Sequence, residues 1–540
     1  MKKNLFKLIN LLYSLISGLL LGFSWPTYGA PIFIFTSLIP LFFLEKSISQ
    51  DNYKYKKIRF FTYTFFSILI WNIITTWWLI NASVFGMIFA IHHNAFFYSL
   101  LFLIFFSLKN VLKENARFIF FICLWICYEK FNLNSEFSWP WLNLGNVFSE
   151  SIYWIQWYEY TGVFGGTLWV LILNVLLFKT IDEYFSKKNK IILIKKIVFS
   201  IVCILIPIIS SILIYLNIED PKKSINVIII QPNIDPYKEK YSFTNFDFLN
   251  KLEELTKNKI KLNTDYIITP ETFFAEGSGI ELKNYDKSDL HFSLQKFLQN
   301  YPNTQIISGI QLYNLYFSDS VPSSSANRIR KGLWVDYYNS AISEQLNEQY
   351  KIYHKSKLVV GVENLPYKNI LKPLIGNYLI DLGGTIASRV IQKNRTNFVH
   401  NKIKTKAAPI ICYEAVYGEF VTDYVKSGAN FLSIISNDAW WGDTEGHRQL
   451  LSLSKLRAIE NRRDIVRSVN TGISAIINLK GEIISKLNYG VKGSIEGKIS
   501  SQENLTFYSK YGDIIFRWSF LIIIILSLIS ISNQLKKLYK

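Results

Sequence analysis

Apolar residues run in bilayer-length blocks over the first 219 positions and then break into short bursts. Residues 8–23 are uncharged and mostly apolar, and 31–44 form a second, shorter segment. From 60 to 108 there is no Asp, Glu, Lys or Arg. Because about 20 apolar residues cross a bilayer, that stretch holds two helices, hinged at Asn81-Ala82-Ser83. Residues 118–128, 162–178 and 197–218 supply three more spans. An eighth covers 521–532 and begins near Ile514. No small-residue cleavage site follows the first segment and further spans come after it, which disfavours a signal peptide.

Between about 220 and 511 the period changes. Strand-like runs at 224–230, 266–269, 304–309, 341–343, 409–412, 430–436, 465–469 and 473–478 alternate with helix-like 246–257, 417–425 and 449–461. Lys480-Gly481 reads as a hairpin turn. Strands alternating with helices predict a sheet covered by helices. The expected domains are therefore 1–219 with seven spans, 220–511 as a soluble α/β unit, and 512–540 with the eighth span.

Composition supports the membrane class: half of the 540 residues are hydrophobic and only 18% are charged. The net charge of +19 does not argue for nucleic acid. Much of the excess sits in clusters beside apolar runs, at the N-terminus, 46–59, 109–117, 179–196 and the C-terminus. With eight spans these all fall on one side, which puts both termini in the cytoplasm and 220–511 outside it. The aromatic stretch 129–159 suits a membrane–water interface. His92-His93 lies mid-span without an acidic partner there, giving a proton-relay or transporter reading little support. The four cysteines have no metal-ligand spacing, and no cofactor is expected.

Chemistry in such sheets collects at strand ends. Cys412 ends an Ile-rich run with an acidic, helix-compatible segment behind it, so its sulfur should lie on a tight turn. There a helix N-terminus and nearby cations would favour the thiolate. A buried, inert cysteine is the alternative. Glu271 follows the run at 266–269, and Lys355 lies in a basic segment with Lys357 as a competitor. A thiol nucleophile, a carboxylate to move its proton and an ammonium for the oxyanion make a sufficient acyl-transfer set.

Here a resemblance enters. Residues 220–511 resemble the nitrilase (carbon–nitrogen hydrolase) superfamily, whose Glu-Lys-Cys triad fits Glu271, Lys355 and Cys412. The whole chain resembles the apolipoprotein N-acyltransferase family, membrane enzymes that finish bacterial lipoproteins. Ser138-Trp139-Pro140-Trp141-Leu142-Asn143-Leu144-Gly145 carries the likeness in the membrane half. In the soluble half it rests on Gln231-Pro232-Asn233-Ile234, Thr269-Pro270-Glu271-Thr272, Tyr338-Asn339-Ser340-Ala341 and Ile411-Cys412-Tyr413-Glu414. The longest match is Asn437-Asp438-Ala439-Trp440-Trp441-Gly442-Asp443, continued at 457–460 and 467–475. The family's Leu-Val-Pro-Phe-Gly-Glu-Tyr-Val-Pro is Leu358-Val359-Val360-Gly361-Val362-Glu363-Asn364-Leu365-Pro366 here, which implies a different loop backbone. Residues 367–400 read as an insertion without an assigned role.

The resemblance implies about eight transmembrane helices plus a nitrilase-like αββα sandwich. It implies an acyl chain passing from a phospholipid, phosphatidylethanolamine by expectation, through a Cys412 thioester. The acceptor would be the α-amine of a diacylglyceryl-cysteine on an apolipoprotein. Glu363 would orient Lys355, and Tyr413 and Glu414 would shape the pocket. Tyr241, Trp139, Asn437, Trp440 and Trp441 are candidate lipid contacts. The implied location is the inner membrane, with the catalytic domain periplasmic. Two alternatives stay open: a membrane-anchored amidase or nitrilase, and a lipid-binding relative with a decayed triad.

Overall fold

The computed structural model describes residues 2–51, 54–219, 223–236, 238–240, 242–373 and 388–538. The chain forms two compact units: residues 1–80, 84–217 and 511–540 make one, and 81–83 with 218–510 the other.

The first unit is helical. Among the described residues, six helices are long and apolar enough to cross a bilayer, against the eight expected: Pro31–Gln50, Lys56–Asn81, Val84–Asn110, Val163–Lys187, Lys190–Asn217 and Ile514–Leu535. The first apolar helix, Lys7–Phe23, is shorter. The helix at the expected fifth span, Glu114–Asn134, carries charges that are neutralised inside the unit. Arg117 pairs with Glu45 at 3.0 Å, and Lys130 pairs with Asp513 at 2.7 Å. Glu129 accepts from Trp125 Nε1, the Leu144 backbone N–H and the Thr167 hydroxyl at 2.8–3.0 Å. The Leu144 bond ties the tryptophan-rich loop to Glu114–Asn134, and the Thr167 bond ties that helix to Val163–Lys187. Within that loop Trp139 stacks on Trp141, centroids 5.5 Å apart, and Trp78 packs against both. His93 lies among Phe97, Phe137 and Phe89, an aromatic packing contact.

The second unit is a pair of facing sheets between helices. Among the described residues, one sheet runs Gly493–Ser500, Ser224–Gln231, Tyr266–Ile268, Gln305–Phe317, Leu333–Glu344, Asn327–Arg330. The other runs Ile483–Leu487, Ser474–Ile477, Ile465–Val469, Phe431–Ser436, Thr405–Ile411, Phe398–His400. Their central strands pair in parallel, and parallel strands covered on both faces read as nearly unbroken apolar runs. Strand parity divides the core. Ile225, Val227 and Ile229 enter the layer between the sheets, with Ile268, Ala408, Ile410 and Ile434. Ile228 and Ile230 face outward onto Phe248, Leu252, Leu294 and Leu298 of the helices Asn245–Thr256 and Asp289–Asn300. On the other side the helix Gly418–Lys426 contributes Val421, Tyr424 and Val425. The expected nitrilase-like αββα sandwich is the fold observed.

Candidate active site

Three strand ends converge. Glu271 follows Tyr266–Ile268, Lys355 follows Lys351–His354, and Cys412 follows Thr405–Ile411. Cys412 has φ +53, so the backbone reverses sharply at the thiol before the short helical turn Cys412–Val416. A non-glycine residue in that region costs energy and persists where its surroundings enforce it.

Lys355 is 1% exposed, and its Nζ lies 2.8 Å from Glu271 Oε1 and 2.9 Å from Glu363 Oε2. Asn339 Nδ2 donates to both carboxylates, 2.8 Å to Glu271 Oε1 and 2.7 Å to Glu363 Oε1. The Val359 N–H donates to Glu363 Oε2 at 2.9 Å. The changed loop thus still presents Glu363 to the lysine, although Gly361 now takes φ +77. Lys357, the competitor, lies over the Tyr417 ring at 4.8 Å. Asn339, inside the motif Tyr338-Asn339-Ser340-Ala341, joins the site without a sequence expectation for it; its signal is an amide inside a buried strand, where Asn is depleted.

The electrostatics follow from burial. Burial opposes charge on Lys355, but Glu271 and Glu363 outweigh it, and the ammonium is held well above its usual range. Burial also opposes charge on Glu363, yet Lys355, Arg389, the Val359 N–H and Asn339 bring it down to about 2. At Cys412 burial dominates and Glu271 adds to it, so the thiol is pushed far up despite Lys355. Burial thus opposes the expected favouring of the thiolate. Both bonds to Glu271 described above fall on Oε1.

Glu363 sets a pH signature. Its folded value lies below its ordinary 4.5, so its stabilisation is complete above 4.5 and is lost as pH falls through about 2. Glu363→Gln removes that slope, and thermal unfolding followed between those two pH values measures it.

Glu414 is fully buried and holds two ends of the site. Its Oε1 accepts from Tyr353 OH at 2.7 Å and the Ser356 N–H at 2.6 Å, and its Oε2 from the Ile411 N–H at 2.8 Å. The neighbour of Lys355 and the neighbour of Cys412 are thereby fixed to one carboxylate, which burial raises to about 7. Tyr413 is buried and packs edge-on against Tyr417 at 5.4 Å. Asn437 is buried just beyond the strand Phe431–Ser436, while Trp440 and Trp441 are half-buried on the turn that follows. Asp438 in that turn pairs with Arg467 at 2.7 Å, both fully buried. Asp438→Ala leaves Arg467 unpaired and should cost about 3–5 kcal/mol, read by chemical denaturation. Trp139 belongs to the helical unit, and Tyr241 lies outside the described residues. No group of His, Cys, Asp and Glu among the described residues could hold a metal.

Both units match known families. The carbon–nitrogen hydrolase model matches residues 227–504, and the apolipoprotein N-acyltransferase N-terminal domain model matches 17–176. The chain is similar to the apolipoprotein N-acyltransferase of Chlorobaculum tepidum, 25% identical over 93% of this chain and 92% of that protein. It is similar to that of Rickettsia prowazekii, 27% identical over 96% and 97%. Saccharomyces cerevisiae Nit3, of the nitrilase superfamily, aligns at 13% identity with a TM-score of 0.37 over 52% of this chain and 92% of that structure. The apolar helices and these relatives point to a multi-pass protein of the inner membrane. The chain belongs to the carbon–nitrogen hydrolase family, as a membrane-embedded member of its apolipoprotein N-acyltransferase branch.

Proposed function

We propose that the protein transfers an acyl chain from a phospholipid to the α-amine of a diacylglyceryl-cysteine on an apolipoprotein, through a Cys412 thioester. The observation that carries this is one chain holding both a buried Glu271–Lys355–Glu363 cluster at Cys412 and the acyltransferase N-terminal domain.

In the first half-reaction Cys412 Sγ attacks the ester carbonyl while its proton passes to Glu271 Oε2. Lys355 carries three N–H donors. Two are committed to Glu271 and Glu363, so the third serves the oxyanion. Collapse of the tetrahedral intermediate breaks the ester C–O bond, and Glu271 returns the proton to the departing glycerol oxygen. A lysophospholipid leaves. In the second half-reaction the neutral amine attacks the thioester and Glu271 takes its proton. The C–S bond breaks, the sulfur is reprotonated and an amide remains. General base work of this kind contributes about 10²–10⁴-fold. Glu363 positions Lys355; Glu414 and Tyr413 shape the nucleophile's turn.

The sn-1 chain of phosphatidylethanolamine is the proposed donor. The basic loops support cytoplasmic termini and a periplasmic catalytic unit of residues 220–511. Purified protein given labelled phospholipid and a diacylated lipopeptide should move label into the peptide amide. Ammonia released from simple amides would instead favour a hydrolase, and no covalent adduct a lipid-binding relative.

A further inference from the structure

Two cations beside the cluster have no part in the chemistry above. Lys240 is 6% exposed, and its ammonium donates to the Thr272 hydroxyl. That hydroxyl donates in turn to the Glu271 carbonyl oxygen at 2.8 Å. Arg389 approaches from another side, its Nε 4.0 Å from Glu363 Oε1. Its Nη1 is buried and has no hydrogen-bond partner among the described residues. A buried guanidinium N–H left unmade is costly, so such a group marks a place where something else binds.

Charge points the same way. Glu271 and Glu363 face three cations, Lys355, Lys240 and Arg389, and the resting thiol of Cys412 adds no negative charge. Burial, with a smaller push from Arg389, lowers Lys240 to about 8 against the pull of Glu271. One anion between Lys240 and Arg389 would relieve both. The planar fork of arginine suits a phosphate oxygen pair.

We propose that Arg389 and Lys240 form a subsite for the phosphodiester of the acyl donor. The proposal rests on the acyltransferase reading. In a glycerophospholipid the reacting ester and the phosphate share one glycerol, so the phosphate arrives within a few bonds of Cys412 whenever the sn-1 carbonyl does. Arg389 stands one carboxylate away from Lys355, on the far oxygen of Glu363. The acceptor brings an amine and no phosphate, so the subsite serves the first half-reaction alone. Its positive charge also favours the neutral form of an approaching amine, the form that attacks.

The test compares two donors by the rate of acyl-Cys412 formation in the full-length protein. One is a phospholipid; the other is an uncharged nitrophenyl ester of the same acyl chain. Arg389→Gln should raise KM for the phospholipid about 10- to 100-fold while the nitrophenyl ester stays within about two-fold. Arg389→Lys should fall between, and Lys240→Met should show the same donor bias. Phosphatidylethanolamine and phosphatidylglycerol should suffer alike, since both present a phosphodiester. Bias confined to phosphatidylethanolamine would overturn the proposal. So would equal losses with both donors, which would mean that Arg389 acts only through Glu363. Wild-type protein acylated by neither donor would overturn the acyltransferase reading and this subsite with it. If Arg389→Gln fails to accumulate folded, Arg389→Lys is read by the same ratio.

Discussion

Cys412→Ala should abolish acyl transfer while leaving the protein folded. The thiol sulfur is the atom that bonds the acyl chain in the proposed route, and among the described residues the other cysteines, Cys123, Cys127 and Cys203, belong to the helical unit. Loss of a nucleophile from a triad of this type costs on the order of 10⁶ in kcat. The fold should survive because the side chain is small and Cys412 is held by strand pairing and by Glu414 at its neighbours. Cys412→Ser should also fail. Burial that already pushes the thiol far up holds a hydroxyl proton more tightly still. Turnover by either variant at the wild-type rate would remove the mechanism. The assay is single-turnover transfer from labelled phospholipid, with thermal unfolding as the control for folding.

Lys355→Met should be the most damaging change to stability and activity together. The lysine is the cation between two buried carboxylates, at 2.8 and 2.9 Å. Removing one partner of a buried ion pair costs about 3–5 kcal/mol, because the charges left behind stay desolvated. Losing an oxyanion donor costs a further ~10²–10³ in kcat. The pH dependence gives the diagnostic sign. In the wild type Glu363 is held down to about 2, so acid removes stability. Without the lysine, Glu271 and Glu363 repel and a proton between them is favoured. Acidification toward the ordinary carboxylate value should therefore recover part of the lost stability in the variant. Denaturation curves across that range test this, and parallel curves for variant and wild type would contradict it.

Legibility in the sequence followed continuity of the apolar pattern. Buried parallel strands such as Phe431–Ser436 and Thr405–Ile411 carry apolar stretches broken by few polar residues, so Cys412 and Glu271 could be set at strand ends without coordinates. The strands Ile483–Leu487 and Gly493–Ser500 mix Ser, Lys, Glu and Gly with one or two apolar residues at a time, and no long apolar run marks them. Helix Asp289–Asn300 does have a local signature: Ser288 caps it, and Leu290, Leu294, Phe297 and Leu298 keep helical spacing.

Charges made some elements harder to read. Glu114–Asn134 has an apolar centre but carries Arg117, Glu129 and Lys130, whose charges are satisfied by neighbours, so length and composition alone do not count it among the candidate spans. At Cys412 a strand-to-helix turn favours the thiolate locally while burial opposes it, and the degree of burial is a tertiary property. Asn339 carries only a weak local signal for a related reason. It reaches Glu271 across 68 positions and Glu363 across 24, and no local pattern encodes such contacts. Lys355 was separable from Lys357 only by the family resemblance until the geometry set one beside Glu271 and the other on Tyr417.

The most direct measurement is the mass of the intact protein after brief exposure to a phospholipid with a labelled sn-1 chain, before any acceptor is added. The account predicts a single added acyl group on Cys412, cleaved by hydroxylamine and discharged by a diacylated lipopeptide. An unmodified Cys412 with label still reaching the lipopeptide would contradict it.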